Sequence, residues 1–432
     1  MKTLKTLCLA LAVGGATAMA AGQQPAAVTI NPAQLYYQAF LAAPTPISND
    51  DMDYTYSKEG LSQPLPERFA ELVASYDPQF TLVRQAARST AACDWGLDMS
   101  QGPSAPLPHL ARAKAVAQAT RLRMRWNLEH GRQAEACEEL LAAFVLARNL
   151  PSDGLLISAL VQQAAEMILC SSVAQNFGLF SADSLELLAQ GLEALPARRT
   201  VAQCMGTEKA LFHDWAINRI RELQKQHAGD DAKALEEIGK LFGFETDRTG
   251  SDLWPRLKQA SDGTSEGVIT LLREREKHEE KLMAVLTLPY PEYQGKLQEL
   301  EAETRRSPNP LVSHTLPSIA RARSRELRVL ATLGIVRAAI EYKLRGEAGF
   351  RSVTDPCGTG PFAFRRFVFE GVDRGFELRS AYDIDGNKGL LIFVEQTGAP
   401  FRVDGPKAGT AIESDEAAKA FQQRYGIELP KK

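Results

Sequence analysis

Trp95, Asp98 and His109 lie within a Gly/Pro/Ser-rich stretch between two helical patterns. An indole face, a carboxylate and an imidazole held in a loop by rigid helices are the residue types from which binding sites are often assembled. These three are therefore the candidate binding residues. The same residues also suit a packed junction, with Trp95 filling the contact between helices and Pro108 opening the next helix.

Other chemistry-bearing groups match known patterns only in part. Asp383-Ile-Asp385-Gly-Asn387 begins like a calcium loop, but Lys388 stands where the loop needs glycine and Val394 where it needs a bidentate glutamate. A hairpin turn is the simpler expectation. Glu208, His213 and Asp214 fall on one expected helix, yet a Glu and a His five apart share a face poorly. His278-Glu279-Glu280 lacks the second histidine of a zinc-protease helix. The chain contains no phosphate-binding P-loop and no dinucleotide glycine fingerprint. No catalytic residue, metal ligand or cofactor is assigned.

The N-terminus points to export. Lys2 and Lys5 precede a short apolar run, Leu7 to Val13, and then Ala18-Met19-Ala20 supplies the small-x-small pattern of a cleavable signal peptide. The run is well short of the ~20 residues that span a bilayer. Residues 1–20 are thus read as a signal peptide, and no membrane span is expected after cleavage. Loss of Lys2 and Lys5 would take the formal charge from −3 to −5. Export to the periplasm or beyond permits disulfides. Cys93, Cys137, Cys170, Cys204 and Cys357 remain, an odd number whose connectivity is open. Small buried thiols are the alternative to pairing. With 50 basic and 53 acidic residues, the chain lacks the basic excess of a nucleic-acid-binding surface.

The elements that must hold these residues are mostly helical. Asn31-Pro32 pairs an N-cap with a proline suited to a first helical turn, and Asp77-Pro78 repeats the signal before a helix expected to reach Cys93. A polar stretch, Thr45 to Pro66, separates the first of these from a helix expected around Glu67 to Ser75. From Leu110 to Gly131, Leu110, Ala113, Ala117, Met124 and Leu128 share one helical face, which leaves Arg112, Arg121, Arg123 and Arg125 for the others. A second helix covers Gln133–Asn149, and a third, nearly apolar from Leu155 to Leu169, reads as a central core helix. Further helices are expected at 182–193, 198–227, 231–242, 265–287, 291–305 and 318–344. Glu245–Gly263 reads as a loop, and Arg273–Lys281 as a solvated face of i,i+4 ion pairs.

Past Gly349 the period changes to two. Phe376, Leu378, Ser380, Tyr382 and Ile384 alternate with polar residues, and a parity slip among the phenylalanines at Arg365-Arg366 suits a β-bulge. Asp385-Gly386-Asn387 marks a turn. A last helix is expected at 415–424. The fold class is mainly α, with packed helical hairpins in a solenoid-like or irregular bundle and a small C-terminal antiparallel β-element. The expected organisation is a signal peptide at 1–20, a helical body at 21–348 and a β-rich element with a terminal helix at 349–432.

Several blocks carry resemblances. Gly131, Ala136, Leu140 and Ala143 resemble the turn and packing positions of a tetratricopeptide hairpin. Cys137, Cys170 and Cys204, spaced by 33 and 34 residues, sit near that repeat period. Cys93-Asp94-Trp95-Gly96-Leu97-Asp98, Leu107–Leu110, Leu156–Val161 and Asp355–Arg365 resemble a group of secreted bacterial helical proteins without assigned function. In that group Asp355–Arg365 corresponds to Asp-Pro-Phe-Ser-Gly-x-Pro-Leu-x-Tyr-Arg, from which Cys357 and Gly358 depart. The last block is also similar to the C-terminal region of type II secretion pseudopilins. These resemblances imply fold and compartment. The expected function is an exported helical binding or scaffold protein of the cell envelope, with a possible protein partner there. The alternatives are a hydrolase whose acid and base come from separate helices, and an accessory to secretion or pilus-like assembly.

Overall fold

A computed structural model of the chain describes residues 29–395 except 58–59, 61–62, 242–252 and 370–371. The signal-peptide segment and the expected terminal helix at 415–424 lie outside the described residues. The remainder is mainly helical with a small antiparallel sheet near the C-terminus.

Local chemistry sets most helix starts. The first helix, α1 (Pro32–Leu41), is capped by the Asn31 side chain accepting from Ala33 N at 3.1 Å. The polar stretch after it is not a plain connector. It forms α2 (Asn49–Tyr56), where Ser48 caps the helix and Asp50 and Asp51 oppose the positive N-terminal dipole. The next pair, α3 (Phe69–Ser75) and α4 (Asp77–Ala87), meets at Tyr76. Helix α4 stops short of Cys93, and Cys93–Trp95 runs on as non-helical chain.

A hairpin follows, made of α5 (Pro108–Glu129) and α6 (Gln133–Asn149). Gly131 turns it with a φ of +73°, a left-handed conformation that costs glycine little. Every residue of α5 from Ala119 to Leu128 is buried, including Arg121, Arg123 and Arg125. These arginines, expected off the apolar face, are thus buried along with it. Over Ala119–Leu128 helix α5 is enclosed by α3, α6 and α7 (Leu156–Gln175), while Arg112 near its start stays exposed.

Helix α7 is long and apolar enough to cross a membrane, and 56% of its apolar window is buried in the fold. Its polar residues Ser158, Gln162, Gln163 and Glu166 are buried too. Glu166 is matched by Arg148 and Arg198, the latter at 2.8 Å.

After α8 (Ala182–Glu193), the helix expected at 198–227 forms as a continuous helical run over 201–226 with a π-helical segment inside it. Helix α9 (Val201–Glu208) has a complete Thr200/Gln203 capping box, a π-helical segment covers Lys209–Asp214, and α10 (Trp215–Gln226) resumes. Then come α11 (Asp231–Leu241), α12 (Leu253–Ala260), α13 (Ser265–Leu286), α14 (Tyr290–Arg305) and α15 (Pro310–Ser352). Helix α12 occupies part of the expected loop at 245–263, because Leu253, Trp254 and Leu257 pack into the core between α10 and α13. The charged run on α13 is more than a solvated face. Glu276 pairs with Lys209 and Lys281 with Glu303, while Arg275 and Glu279 pair within the helix.

The sheet has the order β1-β2-β3, with β1 (Ala363–Phe369), β2 (Val372–Ile384) and β3 (Asn387–Val394). The β1–β2 register shifts between Phe367 and Val368, slightly beyond the expected slip. Asp385 and Gly386, with φ of +52° and +74°, make the hairpin turn between β2 and β3. Phe376, Leu378, Leu391 and Phe393 share one core with Phe177 and with Ile335, Ala338 and Ala339 of α15. The Asp355 block is the clasp that holds this arrangement. Asp355 is buried and accepts from Ser380 Oγ at 2.7 Å, Ala381 N at 2.6 Å and Cys357 N at 2.9 Å.

Candidate functional site

The loop candidates separate in the structure. Trp95 is buried, and its Nε1 donates to the Asn149 carbonyl at 2.9 Å. His109 is fully buried and stacks on it with ring centroids 4.4 Å apart. Tyr36, Tyr37 and Phe40 of α1 close the other sides of the indole. His109 Nε2 lies 3.6 Å from Asp153 Oδ2, and Asp153 also accepts from Leu155 N and Ser158 Oγ at the start of α7. Asp98 is exposed and turns back to accept from Ser100 N at 2.9 Å, a hydrogen bond that holds its carboxyl below the usual range. Trp95 and His109 thus come together, and the carboxylate beside them is Asp153. Their enclosure by aromatic rings makes this a packed junction that fixes where α5 and α7 begin.

The other groups singled out by sequence have structural partners. Glu208 accepts from Leu156 N at 2.7 Å, and burial pushes its carboxyl up. His213 Nε2 lies 3.1 Å from the Leu272 carbonyl. Asp383 and Asp385 are exposed at the end of the β2–β3 hairpin. Among the described residues, no cluster of His, Cys, Asp and Glu is arranged to hold a metal ion.

The open space is elsewhere. A cleft of about 580 Å³ lies between the α3–α4 pair and the α5–α6 hairpin. Glu139 of α6 forms its floor and is fully buried. Arg123 of α5 grips both Glu139 oxygens, through Nε at 2.9 Å and Nη2 at 2.6 Å. Arg123 Nη1 reaches Asp77 Oδ1 at 2.8 Å, and Arg84 Nη1 adds a further bond to Glu139 at 2.9 Å. The guanidinium of Arg123 also sits over the Phe80 ring, 4.8 Å from its centroid. Burial alone would lower the Arg123 pKa, but hydrogen bonds and charge from Glu139 and Asp77 outweigh it and raise it. The floor is therefore a locked, compensated network of two arginines and two carboxylates, with planar fork-to-carboxylate geometry.

The rim differs. His130 stacks on Trp126 at 4.0 Å, with Nδ1 2.8 Å from the Trp126 carbonyl. A carbonyl only accepts, so Nδ1 carries a proton. Glu67, Arg132 and Glu135 are exposed on the cleft, and no ion pair or side-chain hydrogen bond engages them among the described residues. Ala70, Val73 and Ala74 of α3 make one wall small and apolar.

The sequence reading missed this site because it placed Arg123 off the apolar face of its helix without a partner. One signal was present. Arg121 and Arg123 are two residues apart, so on a helix they point to nearly opposite sides, and a helix enclosed by apolar neighbours must bury one of them. No family model matches the chain, and no curated protein or solved structure matches it.

Proposed function

We propose that the protein is an exported, helical binding protein of the cell envelope that holds its ligand in the cleft between the α3–α4 and α5–α6 pairs. The observation that carries this reading is the division of labour in the cleft. Its floor is charge-compensated, while Glu67, Arg132 and Glu135 around it have no ion pair or side-chain hydrogen bond among the described residues. Pre-organised groups beside open volume are what a ligand site needs, because ordering costs are met during folding.

A hydrolase built here would need a deep acid or base free to exchange protons. The deepest carboxylate, Glu139, is spent on two arginines, which favours binding over turnover. The motive for a secretion accessory was the Asp355 block, and the clasp accounts for those residues within the fold. Trp95 and His109 enter the proposal as the packing that fixes α5, and Asp98 as a turn cap. Export rests on the Lys2–Ala20 pattern. Helix α7 is taken as core because Ser158 and Glu166 on it find their partners inside the protein. No nucleic-acid partner and no cofactor form part of the reading.

The test is a plug. Ala74 is exposed on the cleft wall, so Ala74→Trp fills the space without touching the floor. Thermal unfolding with peptides, oligosaccharides and nucleotides is expected to reveal a class that stabilises the native chain by a few degrees and leaves the plugged variant unshifted. Equal stabilisation of both forms, or none by any class, would overturn the proposal. Cell fractionation checks the compartment, with a mature N-terminus at Ala21 in the osmotic-shock fraction expected and Met1 retained in the cytosol as the contrary result.

A further inference from the structure

We infer that the cleft takes a short basic peptide with a free C-terminal carboxylate, an inference that rests on the cleft being the binding site. Arg84, Arg123, Asp77 and Glu139 compensate one another in the floor. Glu67 enters from the α3 side and Glu135 from the α6 side, both free of partners. Asp77 gives Oδ1 to Arg123 and keeps its side chain 66% exposed. Against these acceptors stands Arg132, the one cation lining the cleft without an ion pair among the described residues.

Ammonium and guanidinium groups donate and never accept, so Lys and Arg side chains complement such a rim better than neutral or acidic groups do. A simple polyamine would satisfy the acceptors and leave Arg132 facing another cation. A peptide carboxylate gives Arg132 the planar, two-oxygen partner its fork suits. The small wall of Ala70 and Ala74 lets a backbone approach closely, and about 580 Å³ accommodates a few residues.

Calorimetric titration of the full mature chain at low salt provides the test, using Lys-Lys-Lys, its C-terminal amide, Glu-Glu-Glu, Ala-Ala-Ala and spermidine. Lys-Lys-Lys is expected to bind tightest, with the amide several-fold weaker. The Glu67→Gln/Glu135→Gln double variant should lose at least tenfold of that affinity while keeping the native circular dichroism, since both positions are exposed. Failure of Lys-Lys-Lys to bind, or unchanged binding in the double variant, overturns the inference. Spermidine and the amide binding as well as Lys-Lys-Lys would overturn the peptide assignment. The two readings fail separately. Glu-Glu-Glu or Ala-Ala-Ala binding best, and being lost in Ala74→Trp, would sink the basic class and leave the cleft. Lys-Lys-Lys binding equally to native and Ala74→Trp chains would sink the cleft as well.

Discussion

Glu139 gives both its oxygens to arginines in a place that water does not reach, and this makes it a severe site for single substitutions. A buried ion pair adds little net stability over an apolar pair of the same shape, because desolvation offsets attraction, but removing one partner strands the other. Glu139→Gln should therefore cost about 3–5 kcal/mol in urea unfolding. The double change Arg123→Met/Glu139→Leu should recover most of that loss and abolish ligand binding. Similar recovery in both stability and binding would show that the floor is mere filler. Asp355 is a second such residue, with its carboxylate accepting from two backbone amides and a hydroxyl. Asp355→Asn should cost about 2 kcal/mol, since charge-assisted acceptors are worth more than neutral ones. Ser380→Ala, which removes one donor and the acceptor of the Tyr382 amide but leaves the Cys357 and Ala381 amides on Asp355, should cost about 1 kcal/mol. Equal costs for the two would argue that the amide contacts contribute nothing. Residue identity alone could not show either network. Asp355 and Ser380 are 25 positions apart, and Arg123 and Glu139 meet only because Gly131 folds α5 onto α6.

Elements were legible wherever a local rule decided them. The Asn31 cap, the Gln133–Asn149 and Ala182–Glu193 helices and the Asp385-Gly386 turn follow from capping chemistry, period 3.6 and positive-φ preference. They were not legible where tertiary contacts decided. The π-segment at Lys209–Asp214 interrupts a sequence with ordinary helical periodicity. Helix α12 forms in a polar stretch because three apolar residues find a core. The cleft belongs to this second class, since its walls come from two hairpins and no segment contains it. Two glycines test the local rule. At Gly131 an added Cβ would meet nothing within 4 Å, so Gly131→Ala should cost about 1 kcal/mol from left-handed strain alone, and Gly131→Asn less. At Gly334, inside α15, the backbone is helical but a Cβ would lie 2.8 Å from Phe362. Gly334→Ala should gain helix propensity and still lose about 1–3 kcal/mol through overpacking against the sheet. Denaturant midpoints with unchanged m-values would measure both, and a stabilised Gly334→Ala would show that Phe362 yields freely.

Among the described residues, Cys93, Cys137, Cys170, Cys204 and Cys357 form no disulfide, four of them buried and Cys93 half-buried. Packing protects such thiols, and here burial in the cores does so. Burial pushes Cys93 and Cys137 up to about 11 and Cys204 and Cys357 up to about 12, from an ordinary 9.0. Burial raises the phenols of Tyr36, Tyr293 and Tyr382 in the same direction. Between about pH 9 and pH 12 the folded chain thus holds protons that the unfolded chain has released. When the native state binds more protons, stability falls as pH rises. The contribution of these thiols is whole below about 9 and is lost as pH climbs through 11 and 12. Urea midpoints should be level from pH 7 to 8.5 and then decline steeply. Cys204→Ala should flatten part of that decline at a modest cost at neutral pH, because a small side chain leaves a small cavity. Alkylation by iodoacetamide at pH 8 should leave Cys137, Cys170, Cys204 and Cys357 unmodified until the chain unfolds, and then label all five. Midpoints that stay level to pH 11, or labelling of the four buried thiols in the native protein, would mean that the cores open to hydroxide and reagent well before the molecule unfolds.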